Sequence, residues 1–154
     1  MRTIVLGVTL FVQMSGVCGL ARATEPTGEW LVRNGEARVR IMSCANGLWG
    51  YISWVREPGI DSNNPDPAKR ARSIIGVPII QNMMPASQNR WQGQAYNIQN
   101  GKTYSARMTL LGDNELSIEG CVLGGLICGG ENWTRIGKFA PALRTDTPKK
   151  MCYD

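Results

Sequence analysis

Hydrophobic and polar positions alternate most regularly between Gly101 and Cys121. Tyr104, Ala106, Met108 and Leu110 fall on one side of this stretch, and Thr103, Ser105, Arg107 and Thr109 on the other. Strand side chains point to opposite faces with period two, so the stretch predicts a strand with one buried face. Gly112-Asp113-Asn114 supplies residues that tolerate the positive φ of a tight turn. Leu116 and Ile118 then resume the inward set, which makes a hairpin. The same rule reads back along the chain. Gly28 to Val32 is a first strand, and Asn34-Gly35 is a strong hairpin turn. Glu36 to Ser43 follows, with Ala37, Val39 and Ile41 facing in and Arg38 and Arg40 facing out. After the turn Ala45-Asn46-Gly47, Leu48 to Arg56 carries Ile52 and Trp54 on one face and Tyr51 and Val55 on the other. Apolar residues on both faces predict partial cover on the outside.

Glu57 to Arg72 breaks the alternation. Pro58-Gly59 is a turn, and a polar loop follows from Asp61. Asp66 suits a helix N-cap and Pro67 the first helical position, so one short helical turn is expected, to about Arg72. Strands resume at Ile74 to Met84, where Pro78 argues for an edge or a bulge, and at Gln88 to Ile98. Asn132 to Ile136 is the last. About eight short strands in neighbour order predict an all-β fold. Closing the sheet removes exposed edges, so an antiparallel up-and-down barrel comes first and a sandwich second.

The two ends change the picture. Arg2, the apolar run Ile4 to Val12 and the small residues of Ala21-Arg22-Ala23 read as a signal peptide over residues 1–23. The run is short for a membrane span, which needs about 20 residues. The barrel domain is then 24–137 and the tail 138–154. Removing residues 1–23 removes Arg2 and Arg22 and no acid, so the formal charge of +5 falls to +3. That mild, dispersed charge does not indicate a nucleic-acid partner. The expectation is a monomer, periplasmic or secreted, with no stable membrane insertion.

Cys18 leaves with the signal, and Cys44, Cys121, Cys128 and Cys152 remain. Four cysteines allow three pairings. Leu123-Gly124-Gly125-Leu126 lets Cys121 meet Cys128 easily, which leaves Cys44 with Cys152. A four-thiolate metal site is disfavoured by an oxidising compartment and by the lack of paired C-x-x-C spacing. The chain has no histidine. This removes Ser-His-Asp and Cys-His nucleophile systems and His-based zinc sites. Glu119 and Asp113 flank the central hairpin, where no carboxylate-pair spacing emerges, so no enzyme activity and no cofactor are expected.

Several segments together resemble the bacterial secreted family known as domain of unknown function 2147. They are Gly28-x-Trp30, Cys44 before Gly50-Tyr51-Ile52-Ser53-Trp54, and Asn64-Pro65-Asp66-Pro67 before Arg70-x-Arg72. Trp91-x-Gly93, Gly101-Lys102-Thr103-Tyr104, Gly120-Cys121, and Cys128 before Trp133-Thr134-Arg135 complete the set. Family members often carry a cysteine where this chain has Trp49; Cys152 then replaces it as the partner of Cys44. Gly28-x-Trp30 with Arg135 on the last strand also looks like the calycin signature of lipocalins. That resemblance implies Trp30 packed under Arg135 at a closed barrel end.

Two groups of residues are candidates for function. Trp54, Trp91, Tyr96 and Tyr104 can line an apolar cavity or fill it, because an eight-stranded barrel is just wide enough for either. The loop Asp61 to Arg72 lies where a lid would. Asp61, Asn63, Asn64 and Asp66 offer oxygens to a cation, yet they equally suit Asx turns and a cap. Arg70 and Arg72, with Lys69, can clamp an anionic headgroup or form a solvated face. The leading reading is an exported barrel that binds one small apolar or amphipathic ligand. The alternative is a filled interaction module of the cell envelope.

Overall fold

The computed structural model describes residues 25–44, 47–137 and Cys152. The expected signal peptide, the Ala45-Asn46 part of one turn and the tail apart from Cys152 lie outside the described residues.

Eight antiparallel strands close into a barrel in chain order. They are β1 (Gly28–Leu31), β2 (Ala37–Cys44), β3 (Gly47–Val55), β4 (Pro78–Ser87), β5 (Arg90–Asn97), β6 (Lys102–Gly112), β7 (Glu115–Val122) and β8 (Ile127–Gly137). The hairpin read first from the sequence is β6–β7, with Ala106, Met108, Leu110, Leu116 and Ile118 all buried. β4 opens on Pro78, and at the first residue of a strand the N–H that proline lacks is not needed by the ladder. β8 starts five residues before Asn132, the expected first residue. Its Cys-Gly-Gly stretch has no apolar alternation, so the pattern concealed the first five residues of the strand.

β3 departs from its expected phase. Arg38 pairs with Trp54 while Val39 pairs with Ile52, so Ser53 is an extra residue in β3. Such a bulge flips the faces beyond it. Ile52 therefore faces in, and Trp54 faces out with the Arg38 guanidinium 4.8 Å from its ring centroid. The expected cover outside β3 is present, for Tyr51 is buried.

Closure joins β1 to β8, with Trp30 opposite Arg135. Trp30 is fully buried, and its indole nitrogen donates to the Pro26 carbonyl at 2.8 Å. The Arg135 guanidinium lies 4.1 Å from the Trp30 ring centroid. It donates to the carbonyls of Asp113 (2.6 Å), Glu25 (2.8 Å) and Thr27. Burial lowers the Arg135 pKa, and the nearby Asp113 charge opposes that shift. Gly28 is required beside this group. Its φ is +138°, and a Cβ there would lie 2.8 Å from an Arg135 nitrogen and 2.5 Å from the Gly137 carbonyl oxygen. Two disulfides, Cys121–Cys128 and Cys44–Cys152, match the pairing expected from the sequence.

Trp30→Ala should cost about 3–5 kcal/mol, as for a large aromatic removed from a core. Arg135→Ala should cost about 2–3 kcal/mol through lost stacking and charge-assisted hydrogen bonds. Because both remove one contact, a double-mutant cycle by denaturant unfolding should show a coupling of about 1 kcal/mol or more. Strictly additive losses would mean that this pair does not close the barrel.

Candidate functional site

The barrel interior is filled in one half and hollow in the other. Around Trp30, inward side chains from most strands interdigitate: Val39, Ile41, Met83, Met108, Leu110 and Leu116 form one cluster with it. Toward the other end, which carries the β1–β2, β3–β4, β5–β6 and β7–β8 connections, a cavity of about 790 Å³ opens. Ligand pockets typically measure about 300–1,000 Å³. Ile52, Ile80, Ala95, Tyr104, Ile118 and Trp133 are among its walls.

Two inward positions on the cavity wall carry no side chain. On β8, Trp133 and Arg135 are buried, so alternation turns Glu131 and Gly129 inward as well. Gly129 pairs with Gly120 of β7, and both line the cavity. A Cβ at Gly129 would meet nothing within 4 Å. Cys121 and Cys128 take the alternate positions, so their disulfide braces the outer face of the same hairpin. Beyond it, Leu123 and Leu126 are 69% and 85% exposed at the rim.

The family-model comparison matches residues 28–135 to DUF2147, described as an uncharacterized protein conserved in bacteria. The chain belongs to this DUF2147 family. Among solved structures it is similar to protein HP1028 from the human pathogen Helicobacter pylori, described as belonging to the lipocalin family. The identity is 21%, over 73% of this chain and 84% of that one, with a TM-score of 0.66. At that identity the likeness shows the fold alone. No curated protein matches the chain.

The residues that carry the DUF2147 resemblance in the β3–β4 loop build a mooring. Asp61 is fully buried. Its Oδ1 accepts from the Tyr96 hydroxyl at 2.7 Å. Its Oδ2 accepts from Asn64 at 2.7 Å and from Arg72 at 2.8 and 3.1 Å. Arg70 donates to the Asn64 carbonyl, and Asn63 donates to the Gln99 carbonyl of the β5–β6 turn. Asp66 caps a 3-10 turn over Pro67–Lys69 by accepting from the Ala68 N–H. Gly101, with φ +68°, sits where a Cβ would overlap the Asn63 carbonyl. Trp91 and Ala95 pack on the interior cluster, so alternation along β5 sends the Tyr96 ring outward. The loop is therefore tied to the outer wall beside the mouth.

The candidate residues thus separate. Tyr104 faces the cavity, with its hydroxyl accepting from Asn100 at 3.0 Å. Trp91 packs toward the filled half. Tyr96 borders the cavity but commits its hydroxyl to Asp61, and Trp54 lies outside. Arg70, Arg72 and Asp66 are engaged within the loop, while Asp61, Asn63 and Asn64 also fasten it to Tyr96 and Gln99. Sequence reasoning missed Trp133, Glu131, Gly129 and Gly120 as cavity residues. Counting back by twos from Arg135 would have found the first three.

Burial alone would raise the Asp61 pKa, but hydrogen bonds from Tyr96, Asn64 and Arg72, and the Arg72 charge, hold it below the usual carboxylate value. A depressed folded pKa means that this stabilisation is complete above the unfolded pKa and is lost as pH falls through the folded one. Asp61→Asn should cost about 2–4 kcal/mol at pH 7, since it leaves Arg72 without its counter-charge. The gap to the wild type should narrow below about pH 4 in denaturant unfolding. A gap that is unchanged in acid would refute the ionised mooring.

Proposed function

We propose that this DUF2147 barrel is an exported, non-enzymatic binding protein that holds one small apolar or amphipathic ligand in the cavity at its open end. The half-hollow interior carries this reading. A barrel of this size can be filled completely by side chains, whereas here a cavity of about 790 Å³ remains beside the cluster around Trp30. Largely apolar walls suit a ligand that leaves water for the interior. Export is supported by the signal-like residues 1–23 and by the two disulfides, which persist in oxidising compartments. The exposed Leu123 and Leu126 favour a second reading, an envelope interaction module whose contact is the β7–β8 tip.

Gly129→Phe separates the two. A Cβ there meets nothing within 4 Å and Gly129 lines the cavity, so the ring should enter the cavity and stability should change by less than about 1 kcal/mol. In a fluorescence titration with the neutral probe N-phenyl-1-naphthylamine, the wild type should bind and Gly129→Phe should bind at least about tenfold more weakly. Absence of probe uptake by the wild type, or equal affinity in the two proteins, would contradict a ligand cavity and leave the second reading.

A further inference from the structure

Among the described residues, one charged group lies inside the cavity. Glu36, Arg56 and Glu57 also border it, but they sit just outside β2 and β3, at the rim. Glu131 lies within β8, paired with Ile118, four residues inward from Ile127 at the mouth. That is about 13 Å of strand. Its neighbours on the inward face of β8 are Gly129 toward the mouth and Trp133 toward the filled half. One carboxylate oxygen accepts from the Trp133 indole at 2.6 Å. Among the described residues, no lysine or arginine forms an ion pair with Glu131.

A carboxylate paired across the strands with Ile118 and bonded to Trp133, in a cavity that Ile80 also lines, loses hydration when an apolar molecule fills that cavity. A neutral tail alone would strand that charge. A ligand with a cationic head would pair with it in a low-dielectric site, where a charge-assisted hydrogen bond is strong. The indole bond holds the carboxylate in place and leaves its second oxygen for the ligand. The Trp133 and Tyr104 rings also line the cavity, and aromatic faces attract cations. Space for the tail lies mouthward, beside Gly129 and Gly120.

We infer that Glu131 selects amphiphiles with a protonated amine head, bound head inward with the apolar tail toward the mouth. This rests on the cavity reading above and adds the ligand's charge to it. The test is displacement of N-phenyl-1-naphthylamine at pH 7 by three molecules of equal tail length: decylamine, decanol and decanoate. In the wild type, decylamine should displace the probe at least about tenfold more tightly than either of the others. Glu131→Gln keeps the shape and an acceptor for the Trp133 indole, so it should still bind the probe. It should lose the preference for the amine, and Glu131→Asp should restore part of it. Equal displacement by all three molecules, or an amine preference that survives Glu131→Gln, would overturn the inference while the cavity reading stands. A wild type that takes up no probe would overturn both.

Discussion

Everything in this molecule depends on the pairing of its first and last strands. Trp30 and Arg135 are 105 residues apart in sequence and share one contact at the closed end. A guanidinium buried against an indole has to satisfy its donors, and here backbone carbonyls of Glu25, Thr27 and Asp113 do so. Those carbonyls come from the approach to β1 and from the β6–β7 turn. One side chain of β8 therefore ties two separate pieces of chain together at the base. With that end fixed, the sheet has no free edge, and the interior becomes an enclosed volume that side chains must occupy or leave empty.

Which of the two happens depends on height along the barrel. Near the base, Trp30, Met83, Met108 and Leu116 are large and fully buried, and they exhaust the space. Nearer the mouth, Gly120 and Gly129 withdraw side chains from adjacent strands. The Cys121–Cys128 disulfide holds that glycine-rich hairpin from the outside, so the wall stays in place without interior packing. The Asp61 mooring does the same for the opposite part of the rim by fastening the long β3–β4 loop to Tyr96. Rigidity thus comes from polar and covalent ties on the outer face, which leaves the inner face free to be hollow.

The barrel was legible in the sequence because each hairpin advertises itself locally: alternation in β6 and β7, Asn34-Gly35 between β1 and β2, and Pro78 at the head of β4. The Trp30–Arg135 closure was legible only through the resemblance to the calycin signature, and both cysteine pairings from the cysteine count and the glycine-rich link between Cys121 and Cys128. Three features were not. The Ser53 bulge has no local signal, yet it sends Trp54 outside. The polar loop reads alike whether it covers the mouth or lies against the wall, since Asp61 declares its role only once Tyr96 is beside it. The cavity is a sum over inward volumes from many strands, and no single segment contains it. Gly129 and Glu131 were hidden because the start of β8 lacks apolar alternation.

The central claim is a barrel filled at the Trp30 end and hollow at the mouth. Pressurising crystals of the protein with xenon tests it most directly, because xenon enters empty apolar cavities. The account predicts xenon density between Ile52, Ile80 and Ile118, with none around Trp30 and Arg135. An interior without xenon, with side chains packed across the space beside Gly129, would contradict it.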